Sequence, residues 1–302
     1  LKHLSTLNDL GKDGIETVLR KAAIMKADPK AYSKVMDGRT LLMFFAKPSL
    51  RTRVSFETGM SKMGGHAIYY NLSTSPIGVG KESWADTSRV MSRYVDIIMA
   101  RLYCHNELEE LISFSDVPVI NALTDYTHPC QILADLLTIR EKKGSLEGLK
   151  LCYLGDSNNN VTHSLMLGCH LMGMEMTVGC PDHVDYSPQP GIIDQTSATV
   201  HHDAFEAAAN ADILYADTWM SYHIEKDEAT KRTNDLTPYQ VNAAIMAVAN
   251  PDAIFMNCLP AQRGMEQTAE VIDGPQSVVF DQAENRMWAQ NAVMDFLLEH
   301  EA

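Results

Sequence analysis

Ser49, Leu50, Arg51, Thr52 and Arg53 follow an apolar run, Leu41 to Phe45, that is broken at Lys47-Pro48. The run has the length and composition of a buried strand, and Val54 onward reads as a helix with one apolar face. The hydroxyls of Ser49 and Thr52 and the unpaired N–H groups of a first helical turn then lie beside guanidinium groups. A helix start also carries the positive end of a dipole, so these groups together suit a phosphate or another oxyanion. The plain alternative is a capped helix with two surface arginines. The arrangement of strand followed by polar signature recurs at Arg101, after residues 96–100, and at His128 and Gln131, after the short strand 117–122. Two arginines and a helix start exceed what one carboxylate requires, and they suit a dianionic phosphate. His128 sits before Pro129 in a stiff segment and can donate to a carbonyl oxygen, while Gln131 can fix an amide. Ordinary capping is the plain alternative for both.

The second half of the chain offers Asn160, Asp217, Ser221 and Cys258. An amide for a carboxylate and a carboxylate for an ammonium would hold an amino-acid-like ligand. A nucleophilic Cys258 needs a nearby base, for which His128 is a candidate; the alternative is a buried structural thiol. No metal site is expected, because His201 and His202 are adjacent instead of spaced along one face and no HExxH occurs. Gly155-Asp156-Ser157-Asn158-Asn159 after a strand looks superficially like a nucleotide-binding turn. The full glycine fingerprint and GxxxxGK[ST] are both missing, so no nicotinamide or ATP cofactor is expected.

These residues must be positioned by alternating strands and helices. Residues 1–38 read as two helices, followed by strand 41–45, helix 52–63 and a glycine turn into a strand near 66–70. The polar loop 73–83 is either a surface excursion or a lid. Helix 84–94, strand 96–101, helix 107–113, strand 117–122 and helix 132–141 follow. The pattern restarts with strand 149–154 and helix 162–173, then strand 174–179, helix 189–197, strand 199–201, helix 203–210 and strand 213–217. Residues 221–238 read as charged and mostly solvated. Helix 241–249, strand 253–256, a short strand 278–280 and a long helix 284–298 complete the chain. The expected class is therefore α/β, two similar-sized three-layer domains with mostly parallel sheets, whose ligands bind at strand ends.

The 302 residues allow two domains of about 150 residues each. Net charge is 25 − 39 = −14, which argues against a nucleic-acid partner or an anionic membrane surface but not against one local positive pocket. None of the six cysteines forms a CxxC pair, which suggests thiols in a reducing compartment, expected to be the cytoplasm. No apolar run reaches about 18 residues, so no transmembrane helix is expected. The start, Leu1-Lys2-His3-Leu4, does not look like a secretory signal, although it could be the trimmed start of an organellar protein.

Taken together, the motifs resemble the aspartate/ornithine carbamoyltransferase superfamily over essentially the whole chain, and its ornithine branch most. The resemblance is carried by Ser49-Leu50-Arg51-Thr52-Arg53, Met99-Ala100-Arg101 with His105, His128-Pro129-Cys130-Gln131, and Gly155-Asp156 with Asn159-Asn160. It continues in Asp217 with Trp219 and Ser221, Asn257-Cys258-Leu259-Pro260, and Glu284-Asn285-Arg286. It implies a carbamoyl phosphate domain, residues 1–136 with terminal helix 285–302 packed back on it, and an ornithine domain, residues 137–284. It implies a homotrimer or an assembly of trimers, with loop 73–83 reaching a neighbouring subunit and no cofactor.

By matching motif, Ser49, Leu50, Arg51, Thr52 and Arg101 would hold the phosphate, His128 and Gln131 the carbamoyl group, and Arg286 would close on the donor. Asn160, Asp217, Ser221 and Tyr222 would hold L-ornithine, with Cys258 and Leu259 beside the reacting amine. Arg101, His128, Cys258 and Arg286 are the expected catalytic residues. The chain departs from the family where Ser-Met-Gly becomes Ser221-Tyr222-His223, where Asn257 replaces a frequent histidine, and at Pro76. Putrescine or a modified ornithine as acceptor, and a non-catalytic binding subunit, stay open as alternatives at this point.

Overall fold

The computed structural model describes residues 3–77, 80–220 and 228–299. The chain divides into two compact units, residues 1–137 with 284–302, and residues 138–283. Each is an α/β unit built on a five-stranded sheet in which every strand pair is parallel. Parallel neighbours need long crossovers, which the intervening helices supply.

The first unit contains β1 (His3–Leu4), α1 (Gly11–Ala27), β2 (Thr40–Phe45), α2 (Leu50–Lys62) and β3 (His66–Asn71). It continues with α3 (Trp84–Met91), β4 (Ile97–Arg101), α4 (His105–Ser113), β5 (Val119–Leu123) and the start of α5 (Pro129–Lys143). Its strand order is β1-β5-β4-β2-β3. From β2 the chain steps outward to β3, then crosses back to β4 and outward to β5. The order therefore reverses between β2 and β4, where open parallel sheets open a crevice at the strand C-termini. The register sets Phe45 of β2 opposite Arg101 of β4, so loop 46–49 and Arg101 emerge side by side. The core includes Leu42, Phe44, Ile98, Ala100 and Val119.

The second unit contains β6 (Lys150–Leu154), α6 (Asn160–Leu171), β7 (Glu175–Gly179), α7 (Pro190–Ile193), β8 (Thr199–His201) and α8 (Ala204–Ala208). It continues with β9 (Ile213–Ala216), α9 (Ala229–Leu236), α10 (Ala243–Val248), β10 (Ile254–Asn257), α11 (Ala269–Ile272) and the start of α12 (Val279–Glu299). The order is β10-β9-β6-β7-β8, reversing between β6 and β9. The segments after these two strands carry Asp156, Asn160 and Asp217. The boundary between the units falls within α5 and within α12.

Several expectations are corrected. Among the described residues, 3–38 hold one α-helix where two were expected over 1–38: α1 ends at Ala27 and residues 29–38 form turns in which Met36 alone is buried, so no apolar face exists to support a second helix. The helix begins at Gly11, whose φ of +60° is open to glycine at little cost. Residues 278–280 are not a strand. Pairing with Phe255 stops at an isolated bridge from Ser277, and Val279 begins α12 with its side chain in the second unit's core. Within 221–238, residues 229–236 are helical with Leu236 fully buried, so that stretch is not uniformly solvated.

Helices α2 and α12 meet at Gly59, where an added Cβ would lie 2.0 Å from Asn291 Oδ1. Asn291 is itself buried, so little room exists for it to withdraw. Alanine gains roughly 0.5–1 kcal/mol of helix propensity over glycine, while overpacking costs about 1–3 kcal/mol. Gly59→Ala should therefore lower stability by about 1 kcal/mol on balance. A urea titration showing equal or greater stability would refute the close approach as the reason for glycine.

Candidate active site

In the first unit, α2 opens on Ser49. Its extended backbone and its Oγ, which accepts from the Thr52 N–H at 3.3 Å, cap the helix. Ser49 Oγ also donates to Thr52 Oγ1 at 3.0 Å. Leu50 is 76% exposed and Arg51 half-buried on this first turn. Arg53 behaves differently: it pairs with Glu57 at 3.0 Å one turn on and stacks over Tyr69 with 3.9 Å to the ring centre. The plain reading, a surface arginine, therefore holds for Arg53.

Arg101 is buried at the end of β4, and its Nε donates to the Lys47 carbonyl at 3.3 Å. His128 precedes Pro129, the first residue of α5, and its carbonyl accepts from the Gln131 N–H at 3.1 Å. Burial pushes the His128 imidazole well below its ordinary range, and the charges of Arg286, Arg101 and Lys47 push it further down. The ring is thus neutral at pH 7, in a field set by three cations. Arg286, buried on α12, donates from Nη1 to Gln131 Oε1 at 2.7 Å and from Nη2 to Thr52 Oγ1 at 3.2 Å. Residues far apart in sequence therefore form one cluster: Ser49, Thr52, Gln131 and Arg286 in a hydrogen-bonded chain, with His128 and Arg101 within the same electrostatic neighbourhood. A phosphate dianion and a carbonyl oxygen are the natural ligands for such a positive, donor-rich group.

The second unit carries the opposite charge. Asp217 follows β9, and its Oδ1 accepts from the Thr218 N–H at 2.7 Å and from Cys258 Sγ at 3.2 Å. The sulfur directs its hydrogen at a carboxylate, so in this geometry it is a donor and not an attacking nucleophile. Asn257 is fully buried: its Oδ1 accepts from the Leu259 N–H at 2.8 Å and its Nδ2 donates to Gln267 Oε1 at 3.1 Å. This holds Leu259 at φ +56°, a left-handed conformation uncommon outside glycine that tends to mark functional turns. Asn160 is the first residue of α6, capped by Asn159, whose Oδ1 accepts from Val161 and Thr162 at 2.9 Å each.

Two residues of this unit, Arg232 and Glu266, escaped sequence reasoning. Arg232 of α9 pairs with Asp156, donates from Nε to the Trp219 carbonyl at 3.2 Å and lies 5.0 Å from the Tyr186 ring centre. It ties the turn after β6 to the segment after β9. Burial pushes the Asp156 carboxyl above its ordinary range, with Arg232 opposing that shift. Glu266 is buried and raised for the same first cause, with a further contribution from Asp217. Ser221, Tyr222 and His223 lie outside the described residues. All six cysteines are free thiols, and among the described residues no group of three or more His, Cys, Asp or Glu is placed to hold a metal ion.

The family model described as aspartate/ornithine carbamoyltransferase, carbamoyl-P binding domain matches residues 2–141. The model described as aspartate/ornithine carbamoyltransferase, Asp/Orn binding domain matches residues 147–297. The chain belongs to the aspartate/ornithine carbamoyltransferase family.

An ornithine carbamoyltransferase of Methanothermobacter thermautotrophicus is 48% identical over 307 residues, covering 99% of each chain. The structure of ornithine carbamoyltransferase from Pyrococcus furiosus superposes with a TM-score of 0.91 at 45% identity, covering 97% of this chain and 96% of the other. That of ornithine transcarbamoylase from Giardia lamblia gives 0.90 at 44% identity, covering 98% of each. The positive cluster described above falls in the part matched as the carbamoyl-P binding domain, apart from Arg286, which the later helix supplies. The acidic group falls in the Asp/Orn binding part.

Arg232 offers a test of the second unit's electrostatics. Removing one member of a buried ion pair costs about 3–5 kcal/mol, so Arg232→Met should destabilise by about 3 kcal/mol near neutral pH. Without the guanidinium, the folded carboxyl of Asp156 rises further above its unfolded pKa of about 3.9. The folded state then holds a proton that the unfolded state releases, so stability falls as pH rises through that window. The deficit should be smaller at pH 5 than at pH 7.5 in thermal melts; a pH-independent deficit would show that Asp156 does not need Arg232.

Proposed function

We propose that this chain transfers the carbamoyl group of carbamoyl phosphate to the side-chain amine of L-ornithine, giving L-citrulline and phosphate. The observation that carries the reading is the Arg286–Gln131–Thr52 cluster beside a neutral His128. Ser49, Leu50, Arg51, Thr52 and Arg101 bind the phosphate, using the α2 N–H groups as well. His128 and Gln131 hold the carbamoyl group, and Arg286 completes the donor site. Asn160, Asp217, Ser221 and Tyr222 hold the amino-acid end of ornithine, with Ser221 and Tyr222 assigned on the family motif alone. Cys258 and the Leu259 carbonyl attend the reacting amine.

The uncharged amine attacks the carbonyl carbon, and negative charge grows on the carbonyl oxygen. Arg101, the Thr52 hydroxyl and the N–H of His128 stabilise that charge, the neutral imidazole still carrying one ring N–H able to donate. The C–O bond to phosphate then breaks as the attacking nitrogen gives up a proton to the departing phosphate oxygen, and the resulting hydrogen phosphate dianion stays bound to the groups that held it as substrate. Carbamoyl phosphate is already activated, so orientation and electrostatics carry the step. No cofactor enters this account.

The test is phosphate release with ornithine, putrescine, acetylornithine and aspartate offered separately. Ornithine should be the preferred acceptor, and Arg51→Ala should raise the carbamoyl phosphate requirement sharply while the protein stays folded. Turnover with putrescine alone would overturn the acceptor assignment. An unfolded Arg51→Ala protein with normal activity per folded molecule would make Arg51 structural.

We also infer a homotrimer or an assembly of trimers, acting in the cytoplasm. No helix among the described residues is long and apolar enough to cross a membrane. Strand β3 is a sheet edge carrying exposed Ile68 and Tyr70, and neighbouring α2 exposes Leu50 and Val54. Apolar groups gathered at an open edge suit a subunit contact. Light scattering on the eluting protein should give a mass of three chains or a multiple of it; a monomer at assay concentration would refute the inference.

A further inference from the structure

We propose that Asp135 is a positioning residue for the donor: it fixes which end of the Gln131 amide meets the carbamoyl group, and so helps the site select a carbamoyl over an acyl phosphate. This rests on the reading of Gln131 and Arg286 given above. Asp135 lies one helical turn beyond Gln131 on α5 and is fully buried. Gln131 Nε2 donates to Asp135 Oδ1 at 2.8 Å, while Gln131 Oε1 accepts from Arg286 Nη1 at 2.7 Å. The two ends of a glutamine amide are nearly the same size, so shape alone does not choose between them. A carboxylate accepts hydrogen bonds and donates none, and a guanidinium donates and accepts none. With Asp135 on one side and Arg286 on the other, only one orientation satisfies both. The reverse would turn an NH₂ group toward guanidinium N–H groups and a carbonyl oxygen toward a carboxylate, both buried.

The consequence is chemical. Gln131 presents a carbonyl oxygen, whose second lone pair can accept from the carbamoyl NH₂. Acetyl phosphate carries a methyl group at that place and offers no N–H. A site built to accept a substrate N–H discriminates strongly against an analogue lacking it, because its buried acceptor is left unpaired. An aspartate that never touches the substrate thereby contributes to donor choice.

Asp135→Leu, which is of similar size and has no acceptor, Gln131→Ala and the double variant, each in the full chain, test this. In Asp135→Leu, the KM for carbamoyl phosphate should rise roughly tenfold to a hundredfold. The inhibition constants of inorganic phosphate and acetyl phosphate, which have no N–H to present, should stay within about twofold, a margin well inside one hydrogen bond's effect. In the Gln131→Ala background, Asp135→Leu should add nothing further. An unchanged KM, equal loss of phosphate binding, or effects that multiply in the double variant would each overturn the proposal. If Gln131→Ala itself leaves the carbamoyl phosphate KM unchanged, the underlying site reading fails and the positioning claim fails with it. Should Asp135→Leu not fold, Asp135→Ala, which also lacks an acceptor, serves in its place. Failure of both to fold would assign Asp135 to the core alone.

Discussion

The burial of the Arg286 guanidinium is the constraint on which the first unit depends. Removing a cation from water is expensive unless its hydrogens are satisfied, so its position is dictated by acceptors and not by packing. Here Gln131 Oε1 and Thr52 Oγ1 supply them, from residues 155 and 234 positions away in the chain. Gln290, with its amide oxygen turned toward the guanidinium, accepts from Nη2 at 3.2 Å. Each of these acceptors is neutral, so each fixes the direction of the cation without cancelling its charge. The same contacts join the start of α2, the start of α5 and the body of α12. Lys21 with Asp295 at 2.7 Å, and Lys26 with Asn285 at 2.8 Å, add the links from α1 to α12. A single set of interactions thus completes the fold of the unit and builds its positive cluster.

The two units solve opposite electrostatic problems with the same architecture. In each, the strand order reverses at the sheet centre and the segments after two adjacent strands carry the polar residues. The first gathers Arg101, Arg286 and Lys47 around an imidazole that they help keep neutral. The second gathers Asp156, Asp217 and Glu266, with burial raising Asp156 and Glu266. A cationic group suits a phosphorylated donor and an anionic group suits an ammonium. The overall charge of −14 conceals this division, because the arginines concerned are buried individually and contribute little to the outer surface.

Much of the architecture was legible because strand-forming apolar runs are short, local and bounded by glycine or proline. Strands β2, β4, β6, β8 and β9 fall where their patterns put them, and Ser49, Arg101 and Asp217 were visible as polar residues at or just beyond the ends of β2, β4 and β9, with His128 beyond β5. The failures have a common cause. Val278-Val279-Phe280 looks like a strand locally, yet Val279 is held by the second unit's core and continues into α12, so tertiary burial overrides β propensity. β1 is only two residues long and exists because β5 offers it a pairing edge. Arg232 sits in a polar stretch with no local sign of its partners, Asp156 and the Trp219 carbonyl, which lie 76 and 13 residues away. Asp135 was passed over in the sequence, since its i, i+4 spacing from Gln131 is readable there but its burial is not.

Asn257 shows how a departure in sequence becomes intelligible in the structure. Read as a substitution for histidine, it seemed to remove an acid or base from the turn before Cys258. In place it performs a different task. Its amide spans the turn, accepting from Leu259 and donating to Gln267, while its own N–H donates to Gln282 Oε1 at 2.9 Å. An uncharged, two-ended side chain is well suited to that role, since a buried group able to titrate would couple the turn to pH. Cys258 follows with its hydrogen on Asp217, and Leu259 holds its left-handed backbone. Neither the thiol nor the residue before it is arranged to form a covalent intermediate. A transfer in which the acceptor's own amine is the nucleophile asks only that such groups orient it, and in this turn orientation is what the hydrogen bonds supply.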